Sequence, residues 1–162
     1  MGFRVLYHLD TGNLKGIAEE AKWAESMGYD GLCTPETGHD PFLPLMLAAS
    51  ATSRVTLETQ VAIAFPRSPM VMAYAARDLQ DYSGGRFRLG VGTQVKGHIQ
   101  RRFSTEWSAP GPRIREYVQS LRAIWDTWQT GERLAFHGDH YNFSLMTPFF
   151  SPGKSEQQDP PV

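Results

Sequence analysis

Two side chains able to move a proton stand three residues apart in Pro35-Glu36-Thr37-Gly38-His39-Asp40. A carboxylate and an imidazole can act as acid, base or hydrogen-bond donor near neutral pH. They follow Gly31-Leu32-Cys33-Thr34, a short apolar run that reads as a strand. The C-terminal ends of parallel strands are where α/β folds gather their chemistry. A plainer role also fits: Glu36 or Asp40 is placed to cap a helix starting near Pro41 or Pro44. A second segment, Gly90-Val91-Gly92-Thr93-Gln94, leaves a later strand. Its glycines let a ligand approach the backbone closely, or simply form a tight turn. It is not a dinucleotide fingerprint, because no third glycine follows at the required step and no helix opens at once.

Other reactive residues carry weaker signals. His137 and His140 flank Gly138-Asp139, a hairpin-turn pair, with no third ligand nearby, so a surface turn is expected and no metal site. Cys33 lies within an apolar run with nothing near it to lower its pKa, as a structural thiol would. Arg101-Arg102 read as solvated charges or as contacts to a phosphorylated cofactor tail.

Strand-like and helical runs alternate to position these residues. Residues 3–9 read as a first strand and residues 14–27 as a helix, with Leu14, Ile17, Ala18, Ala21 and Ala24 at helical spacing and Gly28 at its end. The second strand is 31–34, and the helix after it carries Leu45, Leu47, Ala48 and Ala51. A long third strand is expected over 55–63, with Val55, Leu57, Val61 and Ile63 on one face and Thr56, Glu58, Gln60 and Ala62 on the other. Ser68-Pro69 opens a third helix and Gly84-Gly85 ends it. The fourth strand is expected over 87–91, then a loop of roughly twenty residues, long enough to suggest function. A last helix starts near Pro112, and residues 134–145 read as a small hairpin. From Ser151 the chain is polar and Pro- and Gln-rich, like a linker or frayed tail.

Repeated strand–helix alternation predicts parallel strands with right-handed crossovers. An open α/β sheet and part of a (β/α)8 barrel both fit. A complete barrel needs about 250 residues, whereas this chain has 162. Sixteen Lys and Arg against seventeen Asp and Glu advertise no nucleic-acid or anionic-membrane partner. One cysteine excludes an intramolecular disulfide framework, and no run of about 18 apolar residues offers a membrane span. Without a secretory signal pattern at Met1-Gly2-Phe3-Arg4-Val5-Leu6, the expected location is the cytoplasm.

Together the segments resemble the luciferase-like monooxygenase family over nearly the whole chain. The resemblance rests on Gly28-Tyr29-Asp30-Gly31, on Pro35-Glu36-Thr37-Gly38-His39-Asp40-Pro41-Phe42, on Ala64-Phe65-Pro66-Arg67-Ser68-Pro69, and on the run from Ser83 to Gln94. The stretches 95–103 and 145–150 are similar to a subgroup described as oxidoreductases that use the deazaflavin coenzyme F420. The resemblance implies a TIM barrel, with this chain as its N-terminal half. About four βα units plus a small hairpin would form a partial domain over 1–150, followed by a linker-like tail over 151–162.

It also implies a cofactor ring at the C-terminal ends of the strands. A cis non-proline peptide near Gln60-Val61 would prop up the ring, with Gln60, Val61 and Ala62 as cofactor-binding residues. Backbone groups of Gly92, Thr93 and Gln94 would line the ring or the substrate. Glu36 or His39 would be the catalytic group beside it. Family members usually have the acid and His adjacent, and here Thr37 and Gly38 intervene. Some members carry a carboxylate where this chain has Gln94 and Val95. The implied activity is hydride transfer between coenzyme F420 and a small organic substrate. The alternatives are an FMN-dependent monooxygenase or a non-catalytic half barrel. The expected partner is a homo-oligomeric copy or a missing C-terminal half, because half a barrel leaves two strand edges unpaired.

Overall fold

The computed structural model describes residues 3–162; Met1 and Gly2, at the start of the expected 1–150 domain, lie outside the described residues. Its strands are β1 (Leu6–His8), β2 (Gly31–Thr34), β3 (Thr56–Thr59), β4 (Ala62–Ile63), β5 (Phe87–Arg88), β6 (Val91–Gly92), β7 (Phe136–His137) and β8 (Asn142–Phe143). Its helices are α1 (Ile17–Ser26), α2 (Phe42–Ala51), α3 (Pro69–Tyr82), α4 (Lys96–Arg101) and α5 (Pro110–Thr130). Contacts group the chain into two compact units. The first holds the residues up to Ala62, with Ala75–Val91 and Gln157–Val162; the second holds Ile63–Tyr74 and Gly92–Glu156.

The first unit contains a four-stranded parallel sheet in the order β1-β2-β3-β5. Tyr7, Leu32, Leu57 and Phe87 form one row across it, and His8, Cys33, Glu58 and Arg88 form the next. Leu32, Leu57 and Phe87 are fully buried. Glu58 is ion-paired with Arg4 at 2.7 Å and lies 3.8 Å from Arg88. The sheet therefore has one apolar face and one polar face, as a barrel strand set requires. Ile17, Ala21 and Ala24 of α1 and Leu45 and Ala48 of α2 are buried at helical spacing. Gly28 ends the α1 segment with φ 89°. Residues 14–16, expected as helix, form a 3-10 turn, because the Asn13 side chain accepts from the Gly16 N–H and tightens the chain.

The expected strand over 55–63 is two strands. The Gln60-Val61 peptide is cis, at the position the family resemblance implied. Val55, Leu57 and Thr59 are buried on one side up to this point, but the alternation does not carry across it. Val61 is 44% exposed, while Ala62 and Ile63 are both buried. The expected strand over 87–91 divides likewise into β5 and β6 around Leu89 and Gly90.

The residues expected as linker or frayed tail are held in place. In the first unit Arg77 donates to Asp159 Oδ1 at 2.9 Å, Gln80 Nε2 to the Gln158 carbonyl at 2.9 Å, and the Leu89 N–H to the Pro161 carbonyl at 2.8 Å. In the second unit Ser155 and Gln129 exchange two hydrogen bonds. Polar, Pro-rich composition signals poor burial, but it leaves backbone acceptors available to helix side chains.

The core of the second unit forms on α5. Tyr117, Leu121, Ile124, Trp125 and Trp128 are buried, and Trp125 Nε1 donates to the Ala73 carbonyl at 3.2 Å. Gly131, at φ 78°, caps the helix in the left-handed conformation. The expected twenty-residue loop before α5 contains α4, anchored by fully buried Ile99. The small antiparallel hairpin of β7 and β8 is present. Among the described residues no helix is long and apolar enough to cross a membrane.

Candidate functional site

The C-terminal ends of β2 and β3 are tied together by backbone. The Gln60 N–H donates to the Thr34 carbonyl at 2.8 Å, and the Glu36 N–H donates to the Val61 carbonyl at 3.3 Å. Thr34 and Thr59, the last residues of their strands, are buried. Thr34 Oγ1 donates to the Pro41 carbonyl and Thr59 Oγ1 to the Gly90 carbonyl, each at 2.8 Å. The Ala62 N–H donates to the same Gly90 carbonyl at 2.8 Å. These two threonines position the site, and sequence reading passed over them as ordinary strand residues.

On this frame Glu36 is half-buried and His39 is exposed. The capping alternative resolves to Asp40, whose Oδ1 accepts from the Phe42 and Leu43 N–H groups at 2.8 and 3.2 Å. Glu36 stands at the strand ends, with its N–H on the Val61 carbonyl. Gln60 and Val61 are exposed beside it, and Ala62 is buried. Glu36, Gln60, Val61 and Ala62 therefore gather at one end of the first unit's strands, while His39 lies further along the exposed loop.

Gly92, Thr93 and Gln94 belong to the second unit. The Gly92 carbonyl accepts from the Ala64 N–H at 2.9 Å. Gln94 has φ 58°, and its Oε1 accepts from the Val95 N–H at 2.9 Å, which closes the turn. In the same unit the Arg113 guanidinium lies 4.3 Å from the Phe65 ring centroid. It donates to Tyr141 Oη at 3.0 Å and to the Glu106 carbonyl at 2.8 Å. Burial pushes the Tyr141 hydroxyl pKa up, and the Arg113 contact opposes that shift. Glu116 accepts from the Asp139, His140 and Tyr141 N–H groups and so holds the hairpin turn. Arg113 and Glu116 carry no local signal in the sequence; Tyr141, which both engage, lies 28 and 25 residues away.

Cys33 is buried in β2, and its thiol pKa is raised, first by burial and then by the Glu58 charge, as suits an unreactive structural thiol. His137 and His140 flank the hairpin turn. Among the described residues no three His, Cys, Asp or Glu side chains gather as a metal site needs.

An uncharacterised protein of Mycobacterium tuberculosis is 51% identical over 149 residues, covering 92% of this chain and 43% of the relative. The F420-dependent glucose-6-phosphate dehydrogenase of Intrasporangium calvum is 32% identical over 147 residues, covering 81% of this chain and 43% of that enzyme. A monooxygenase from Streptomyces bottropensis superposes with a TM-score of 0.81 at 20% identity, covering 98% of this chain and 52% of that one. The chain thus spans less than half the length of these two curated relatives. Its parallel strands and crossover helices form the N-terminal half of a (β/α)8 barrel. The sequence matches one family description over residues 2–162, the span that carries the strand-end cluster, and the chain belongs to the luciferase-like monooxygenase family.

Proposed function

We propose that the chain is the cofactor-facing half of an oxidoreductase that transfers hydride between coenzyme F420 and a small organic substrate. One observation carries the reading. The half-buried Glu36 is tethered through its N–H to the Val61 carbonyl, and the exposed Val61 side chain stands where the strand ends. An aliphatic seat beside a carboxylate suits a planar ring with a polar edge. The relationship to an enzyme named for F420 favours the deazaflavin over FMN. When bound, the deazaflavin supplies the hydride donor or acceptor.

The chain's own residues orient and hold protons. Val61 offers the apolar contact, Gln60 an amide for polar edges, and the Ala62 backbone the support beneath. Glu36 takes or gives the proton at its carboxylate that must accompany hydride transfer to or from a carbonyl. His39 is the alternative proton carrier. We also propose that a complementary half barrel, from a second copy or from a C-terminal half, covers β1 and β5, the terminal strands of the sheet.

The test is titration of the purified chain with F420 and, separately, FMN, followed by absorbance and fluorescence of each ring. Saturable F420 binding, weakened by Val61→Asp, supports the reading. Preference for FMN, with oxygen consumed during turnover, replaces it with the monooxygenase alternative. Binding of neither leaves a non-catalytic half barrel.

A further inference from the structure

We propose that the second unit carries a self-association surface, on which Phe149 of one copy enters a cavity of a second copy of this chain, and the exchange is reciprocal. The cavity measures about 230 Å³ and is lined by Met70, Tyr74, Leu145, Met146, Thr147 and Phe150. An apolar cavity of about 150 Å³ takes a benzene ring, so this one has room for a phenylalanine side chain. Phe149 does not line it. It stands 89% exposed in the turn Pro148–Phe150 at its side. The turn that presents this ring is tied down. Tyr74 Oη donates to the Phe150 carbonyl at 2.6 Å, and the Tyr74 ring stacks on the buried Trp128 ring with centroids 4.8 Å apart. The Phe149 and Phe150 rings meet edge to face, 5.1 Å apart. An exposed aromatic held in this way loses little freedom on binding.

Three features favour a second copy as the occupant. First, knob and hole adjoin, since Phe150 belongs both to the cavity wall and to the aromatic pair. A two-fold axis beside Phe150 therefore brings each knob to the other copy's hole, a self-complementary arrangement that closes at two chains. Second, charge does not oppose it. No Asp, Glu, Lys or Arg occurs between Asp139 and Lys154, nor between Arg67 and Arg77 on the α3 side. Depletion of charge marks the buried centre of an interface. Third, the exposed area sets the strength. Leu145, Phe149 and Phe150 are 74%, 89% and 64% exposed. They offer about 400 Å² of adjoining apolar surface per copy. Two copies bury roughly 800 Å² through these side chains, short of the ~1,200 Å² of a stable interface. The surface thus specifies a weak dimer. It uses no residue of β1 or β5, the strands proposed to meet a complementary half barrel.

The full chain, labelled with 13C at its methionine methyls, is followed by sedimentation velocity and NMR between about 5 and 500 µM. A reversible monomer–dimer equilibrium is expected, with the Met70 and Met146 methyl signals moving under the ring current of the partner's Phe149. Phe149→Ser removes the knob, and Leu145→Lys charges the rim of the hole. Both positions are exposed, so neither substitution disturbs the core. Each weakens the dimer about tenfold or more. Phe3→Ser removes a fully exposed aromatic of the first unit and leaves the dimer unchanged. Mixing the two weakened variants restores one knob-in-hole contact, so the mixed pair associates more tightly than either variant alone. A monomer throughout this range overturns the proposal and leaves the cavity to another occupant. Association that runs beyond two chains, a dimer indifferent to Phe149→Ser, or a mixture no tighter than its components overturns it equally. No cofactor enters the measurement, so its outcome is independent of the hydride-transfer reading.

Discussion

Thr59 and Gly90 meet so closely that Gly90 has no space for a side chain. A Cβ on Gly90 would overlap the Thr59 carbonyl oxygen, while the Thr59 hydroxyl donates to the Gly90 carbonyl at 2.8 Å. The contact fixes the chain between β5 and β6 against the end of β3, where the candidate site begins. Gly90→Ala forces the backbones apart and is expected to cost about 2–3 kcal/mol. Thr59→Val removes one hydrogen bond and costs about 1 kcal/mol. Urea unfolding tests the order: the Gly90→Ala midpoint falls further than that of Thr59→Val, with unchanged slope.

Arg86 is a second structural centre of the first unit. Its guanidinium donates to the carbonyls of Ala49, Thr52, Val55 and Ser83 at 2.8–3.1 Å and to Thr52 Oγ1 at 3.1 Å. It ties the end of α2 to the start of β3. A lysine ammonium cannot reproduce this planar fork. Arg86→Lys should therefore cost about 2–3 kcal/mol despite keeping the charge. A thermal midpoint within a degree of wild type would show that the carbonyls find other partners.

Glu25 supplies a pH-dependent contribution. Its carboxylate accepts from the Ser53, Arg54 and Val55 N–H groups at 3.0, 2.7 and 3.1 Å. Burial alone would raise its pKa, but the three backbone donors outweigh it and hold the carboxyl below its ordinary value of 4.5. A depressed folded-state pKa means stability that is full above the unfolded value and lost as pH falls through the folded one. The stability gap between wild type and Glu25→Gln should thus be constant above about pH 5 and close progressively in more acidic solution. A gap that widens on acidification would contradict this arrangement.

Local signals explain which parts were legible in the sequence. β2 was read with its observed bounds because a glycine ends the preceding helix and the strand itself is apolar. Ser68 caps α3 as its type and the following proline indicate, with its Oγ accepting from the Met70 N–H at 3.2 Å. The division of 55–63 was hidden because Val61 and Ile63 continue an apolar alternation that the backbone abandons at Gln60. The structural roles of Arg86, Glu25 and Thr59 gave no local signal, since each reaches backbone groups some thirty residues away in sequence. The same holds for Asp159, whose partner Arg77 lies on α3 and whose setting in a Pro-rich tail suggested only a linker. At the site, residue types named Glu36 and His39 as candidates, but only geometry separates a tethered, half-buried carboxylate from an exposed imidazole.

That separation yields the prediction closest to chemistry. A proton carrier must be held within reach of the reacting group, and holding requires a fixed backbone. Glu36 has one, through its N–H on the Val61 carbonyl; His39 lies on the exposed loop before the Asp40 cap. Under the proposed function, in a chain assembled with the proposed complementary half, Glu36→Gln should lower the rate of hydride transfer about 100-fold. His39→Gln should lower it less than about tenfold, since an exposed imidazole can be replaced by solvent or buffer. Single-turnover reduction of F420, followed by its absorbance, separates this effect from binding, which neither variant should change greatly. The reverse order of effects would assign the proton to His39 and leave Glu36 as a positioning residue for the loop.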